Sequence, residues 1–208
     1  MQLQDVAVLG HLIKTSEYRP LKRIALAGPE VRLPRYYDIM AGACLSTILE
    51  SQLKKKEHVR VVSGDVLTGT RVAIDGFLGA RDTLVTVIPE GDYYDFMGWL
   101  LPGFRKFSFS RTFISGFMKP KPFFKMDSGM HGSVRPLVVT GQYEKVFPLN
   151  IYPLQLIKAC IVRDIELMEN LGIYEVEPED FALCEFIDTS KTEIQTIVRE
   201  ALEYIRKN

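Results

Sequence analysis

Residues 21–40, LKRIALAGPEVRLPRYYDIM, hold two apolar-rich runs on either side of a Gly-Pro pair. LKRIALAG reads as a strand and GPEV as a turn, because glycine frees the backbone where proline fixes it. VRLPRYYDI reads as a second strand. Pro34 confines it to a sheet edge or a bulge, since proline has no N–H to give to a ladder. Downstream, ACLSTILES follows Gly42 and has the length and spacing of a helix. HVRVVSG, RVAIDGF and TLVTVIPEG then read as strands. Strand, strand, helix, strand and further short strands over residues 21–90 predict a β-grasp: a mixed sheet with one helix packed across it. Upstream, QDVAVLGHLIK at 4–14 reads as a short helix that Gly10 weakens.

Within that region GDVLTGTR, Gly64 to Arg71, has the outline of a phosphate-cradling loop. A P-loop needs a lysine after its last glycine and a helix behind it. Thr70 and Arg71 stand there instead, and RVAIDGF alternates like a strand. Gly64 and Gly69 are therefore expected to turn a hairpin, as are Gly76 and Gly79 in GFLGARD.

Beyond residue 90 comes a loop-rich middle, then VRPLVVTG, read as a strand. From Pro153 the chain reads as helices. Leu154, Ile157, Ile161, Ile165 and Met168 predict one apolar stripe ended by Gly172. Ser190 and Glu193 have the spacing of a capping box opening the last helix. The expected class is α+β, with a β-grasp-like module over 1–132, including the N-terminal helix and a basic-aromatic extension, and a helical domain over 133–208.

The 208 residues suffice for a buried core, and a formal net charge of zero argues against a nucleic-acid binder. Cys44, Cys160 and Cys184 form no C-x-x-C pair, so neither a disulfide framework nor a metal set is expected. No signal pattern opens the chain. Its longest apolar stretch, FMGWLLPGF, is about half the ~20 residues of a membrane-spanning helix. A cytoplasmic protein without a transmembrane segment is expected. His11, His58 and His131 lack metal-site spacing, and no serine sits in a G-x-S-x-G elbow, so no catalytic residue is assigned.

Charge is unevenly spread. Between Asp95 and Asp127 lie six bases (Arg105, Lys106, Arg111, Lys119, Lys121 and Lys125) and no acid, whereas from Asp164 onward twelve acids face four bases. Trp99 to Lys125, WLLPGFRKFSFSRTFISGFMKPKPFFK, interleaves those bases with eight aromatic rings. Such a segment can stack single-stranded nucleic acid, lie at a membrane surface or against a membrane subunit, or fill a core with half its rings. Nothing else in the chain supplies a nucleic-acid groove. The candidate docking residues are Trp99, Arg105, Lys106, Phe107 and Arg111.

VVSGDVLTGTRV (61–72), FMGWLLPGFRKFSFSRT (96–112) and MHGSVRPLVVTGQYEKVFPLNIYPLQL (130–156) closely resemble the C-terminal half of the A subunit of the Na⁺-translocating NADH:quinone reductases. QDVAVLGHLI and IALAGPEVRLPRY extend the resemblance over nearly the whole chain. The resemblance implies that residues 21–90 are the family's soluble-ligand-binding β-grasp, and that the chain is a fragment of a longer subunit. It implies a cofactor-free subunit peripheral on the cytoplasmic face of the inner membrane. NADH oxidation, flavins, iron–sulfur centres and Na⁺ movement would then belong to partner subunits, some of them membrane proteins. Quinone is a further implied contact, whose residues the sequence does not place. A free-standing β-grasp ligand-binding or adaptor module is the alternative.

The family is related to the C subunit of Rnf electron-transport complexes, whose helical ferredoxin domain binds clusters through C-x₂-C-x₂-C-x₃-C-P. Laid on that pattern, EPEDFALCEFIDTS puts Pro178, Phe181, Cys184 and Asp188 at the ligand positions, with Thr189 at the proline. LVVTGQYEKVFPLN puts Leu137, Thr140, Tyr143 and Phe147 there, with Pro148 kept. The expectation is a helical ferredoxin scaffold without its clusters.

Overall fold

β1, Leu21–Ala27, alternates exposed and buried side chains, so Lys22, Ile24 and Leu26 point to one face and Arg23 to the other. The turn after it depends on Gly28, held at φ +121°. A Cβ there would stand 2.1 Å from the Val87 carbonyl oxygen, so only glycine fits. Pro34 falls just before β2, Arg35–Met40, which is the edge strand the proline demanded. The computed structural model describes residues 2–93, 96–98, 100–104, 106–109, 111, 113–118, 124–138 and 141–207.

Five strands form one mixed sheet in the order β2-β1-β5-β3-β4, with β3 at Val59–Ser63, β4 at Thr70–Val72 and β5 at Leu84–Pro89. β1 runs parallel to β5, with Ala25 opposite Leu84, and the remaining pairs are antiparallel. An N-terminal helix, α1 (Leu3–Thr15), precedes the sheet. α2, Ser46–Gln52, supplies Ile48 and Leu49 to a core with Ile24, Leu26, Val61, Val85 and Val87. This is the β-grasp arrangement expected from the sequence. Residues 64–69 turn β3 into β4. There the Asp65 carboxylate accepts from the backbone N–H groups of Leu67 (2.7 Å) and Thr68 (2.9 Å). A Cβ on Gly69 would lie 2.4 Å from the Asp65 carbonyl oxygen. The loop is a hairpin turn leading into a strand, with no helix to face a phosphate.

The chain divides into two compact units, Met1–Phe96 with Lys121–Gly129, and Met97–Pro120 with Met130–Asn208. The second unit thus begins again at Met130, and residues 97–120 go with it. Its core gathers Tyr143, Phe147, Leu156, Ile157, Met168, Ile173, Phe181, Cys184, Ile194 and Val198.

Three local expectations are corrected in this unit. Val134–Val138 is a loop: Val134 and Val138 are exposed, Leu137 packs on the core, and the Arg135 N–H donates to the Ser190 carbonyl. The long apolar stripe is two helices, α3 (Pro153–Val162) and α4 (Ile165–Asn170). Arg163, at φ +58°, ends the first, and the Asp164 side chain caps the second by accepting from the Leu167 N–H at 3.0 Å. Gly172, at φ +88°, follows the second helix. After the short helix α5, Ala182–Ile187, the last helix α6 runs Ile194–Lys207. Ser190 lies before it and donates its hydroxyl to the Pro136 carbonyl (3.1 Å), so the capping box is not formed.

Candidate functional site

Residues 97–118 double back on themselves. The Ile114 N–H donates to the Pro102 carbonyl (3.0 Å), the Ser115 hydroxyl to the Lys106 carbonyl (2.6 Å), and the Gly103 backbone abuts the Phe113 ring. Of the candidate docking residues, Trp99 and Arg105 lie outside the described residues. Lys106 is half-buried and turned inward. Its Nζ donates to the Gly98 carbonyl (3.1 Å) and lies 5.8 Å from the centre of the Phe113 ring. Phe107 meets Phe186 of α5 with ring centroids 5.4 Å apart, which pins the loop to its own unit. Arg111 is exposed, at φ +55°. Lys106 and Phe107 therefore shape the loop, while Arg111 presents charge outward.

What the loop shows to solvent is largely apolar: Phe117 is 79% exposed, Leu100 65% and Phe104 56%, with Leu101 and Met118 also exposed. Lys125, the last base of the stretch, belongs to the first unit. It pairs at 2.6 Å with Glu30, a carboxylate buried in that unit. Its charge is spent inside the fold.

The positions aligned with cluster ligands come together in the core of the second unit, but as packing residues. The Phe147 and Phe181 rings pack with centroids 4.7 Å apart and planes tilted by 43°, and Cys184 is fully buried with Sγ 4.0 Å from the Tyr143 carbonyl. Burial pushes the Cys184 thiol up to about 12, and that of the buried Cys160 up to about 11, so neither is a thiolate at neutral pH. The Asp188 carboxylate is buried and accepts from the backbone N–H groups of Ser190 (2.9 Å) and Thr192 (2.8 Å). Burial first, and then the neighbouring Asp188, hold the Tyr143 phenol protonated far above its usual range. Its buried hydroxyl has no acceptor in hydrogen-bonding geometry among the described residues. Thr140 lies outside the described residues. One protonated thiol among phenylalanine, tyrosine, leucine and proline does not fit an iron–sulfur cluster. Among the described residues, no group of three or more His, Cys, Asp or Glu side chains is placed to hold a metal ion.

A groove in the first unit goes unannounced by any local pattern. α1 is tied to β1 by Gln4, whose side chain exchanges two hydrogen bonds with the Arg23 backbone (2.7 and 3.0 Å). Between them lies a groove of about 880 Å³, lined by Ala7, Val8, His11, Leu21, Ala25 and Tyr36 among others. The ion pair Arg23–Asp38, at 2.7 Å, stands beside it and lowers the Asp38 carboxyl below its ordinary range. Gln4, Ala7 and His11 recur at helical spacing, but their small and polar character hides a face that meets a sheet.

Comparison with known proteins bears on this arrangement. Residues 23–73 match the family described as the NQRA C-terminal domain. The chain is 42% identical over 205 residues to the Na⁺-translocating NADH-quinone reductase A subunit of Rhodopirellula baltica, covering 98% of the chain and 45% of that protein. It is 37% identical over 206 residues to the protein of the same name from Pasteurella multocida, and 38% over 205 residues to that of Vibrio anguillarum, with like coverage. The chain spans a little under half the length of these curated relatives.

Proposed function

We propose that this chain, homologous over nearly its whole length to the A subunit of the Na⁺-translocating NADH-quinone reductases, works as a cofactor-free component of such a reductase. It sits at the cytoplasmic face of the membrane, without a membrane-crossing helix among its described residues. It assembles with the other subunits, membrane subunits among them, and leaves NADH oxidation, flavin and iron–sulfur redox steps and Na⁺ movement to them. The loop of residues 97–118 is its docking element: Lys106 and Phe107 hold it in shape, Arg111 offers charge, and Trp99 and Arg105 are assigned to it from the sequence. Contact with quinone belongs to the assembled complex.

The observation that carries this reading is the likeness at 37–42% identity along 97–100% of the chain. The chemistry of the core supports the cofactor-free part, since the two buried thiols are protonated and Cys184 is the one cysteine among the eight aligned ligand positions. The test is co-purification of the full-length subunit with membrane partners, and its loss from the complex when Arg105, Lys106 and Arg111 are replaced by glutamine. Retention is expected to fall, and the melting temperature read alongside separates docking from the loss of the Lys106–Gly98 bond, since exposed Arg111 contributes little to stability. Full retention by the triple variant would remove the docking role.

The groove beneath α1 favours a second reading, a free-standing β-grasp module that binds an apolar ligand there. A full-length protein that never co-purifies with membrane subunits, yet takes up such a ligand, would favour it.

A further inference from the structure

Exposed Phe104 and Phe117 share the 97–118 loop with Arg111, and the sequence holds six bases and no acid between Asp95 and Asp127. Three features separate this loop from an ordinary protein interface. The first is charge: the ionisable side chains of residues 97–118, Arg105, Lys106 and Arg111, are all cations, so the loop is complementary to an anionic surface. The second is composition. Arginine beside phenylalanine and leucine is the make-up of segments that rest in the headgroup layer of a bilayer. The third is form. The loop closes on itself through Pro102–Ile114 and Lys106–Ser115 contacts and is pinned behind by Phe107 against Phe186, while Leu100, Phe104, Phe117 and Met118 are left exposed. Irregular backbone cannot enter the hydrocarbon core without losing its hydrogen bonds to water, so such a loop seats at headgroup depth.

We infer that the loop of residues 97–118 binds the surface of an anionic phospholipid bilayer directly, with Phe104 and Phe117 in the headgroup layer and Arg111 against the lipid phosphates. The inference rests on reading the chain as part of a reductase at a membrane, and it names lipid as the partner of the docking loop.

The test is sedimentation of the 208-residue chain with protein-free vesicles, either of phosphatidylcholine alone or with about one-third phosphatidylglycerol. Binding to the anionic vesicles at least about tenfold tighter than to the neutral ones is expected, falling as salt rises from about 0.05 M to about 0.5 M. The charge variant Arg105→Gln with Arg111→Gln, and the apolar variant Phe104→Ser with Phe117→Ser, are each expected to weaken it by about tenfold. Their melting temperatures are read alongside, and Arg111→Lys, which keeps the charge, is expected to bind like the parent chain. Absence of binding to anionic vesicles at low salt overturns the inference, as does undiminished binding by both variants. If the chain ignores vesicles while the same variants fall off the assembled complex, the loop is a protein interface. The lipid inference then fails and the reductase reading stands. If it binds vesicles but never co-purifies with membrane subunits, the reductase reading fails instead.

Discussion

Glu90 stands at the end of β5, where it pairs with Arg60, lies 3.6 Å from Arg71, and accepts from the Ser128 hydroxyl at 2.9 Å. Hydrogen bonding from Arg60 is the chief reason its carboxyl titrates below the ordinary value of 4.5; desolvation opposes the shift, and Ser128 adds to it. With a depressed folded-state pKa, the stability this group supplies is present above the unfolded value. It is lost as the pH falls through the lower folded value. Glu90→Gln is therefore expected to melt lower than the parent chain at neutral pH, with the gap closing below about pH 4.5. Melts across that range check it, and a gap that persists unchanged into acid would show that packing, not charge, is at stake. Ser128 and Lys125 also mark where sequence reading stops. Lys125 counts as one of six unmatched bases until the fold brings Glu30 to it. Such pairings join residues far apart in the chain, and no local pattern encodes them.

At the level of elements, what is legible follows from short-range chemistry. β1, β2, β3, β5 and α2 can be read from alternation, helical spacing, Gly28 and Pro34, because those signals act within a few residues. What fails are boundaries decided by tertiary contacts. The apolar period of α3 continues into α4 as if unbroken, yet Arg163 adopts a left-handed conformation and Asp164 begins a new helix. VRPLVVTG is β-branched enough to read as a strand, but among the described residues it meets the Ser190 segment through Arg135 and pairs with no strand. That segment depends on Asp188, which holds the N–H groups of Ser190 and Thr192 ahead of α6. Asp188→Ala leaves two donors without an acceptor in a buried place, at about 1–3 kcal/mol for each unsatisfied group. A loss on the order of 2 kcal/mol or more is expected by denaturant titration. Asp188→Asn, which keeps one acceptor, should lose less. Equal stability of Asp188→Ala and the parent chain would show that water serves those donors as well.

For the molecule as a whole, the two units pose different questions to a sequence reader. The β-grasp unit declares itself, because its succession of strands and helix follows from where turns and edges must fall. The helical unit has a periodicity that many helix pairs share, and the expectation of a ferredoxin-like scaffold rests on the ligand pattern laid over it. Phe181, Cys184, Asp188, Leu137, Tyr143 and Phe147 then meet in or beside one core, as side chains of a hydrophobic interior. Phe147 and Phe181 pack there with ring centroids 4.7 Å apart and planes tilted by 43°. A protein stabilised by packing alone, as proposed, would have no bound metal to lose. The expected outcome is that the chain, purified without oxygen, is colourless and carries far less than stoichiometric iron and acid-labile sulfide. Its melting temperature should stay unmoved by a chelator, in contrast to a domain whose folding is driven by its metal. Stoichiometric iron and sulfide, or a melting temperature that drops on chelation, would mean that ligands outside the aligned positions hold a cluster, and the cofactor-free reading would have to be withdrawn.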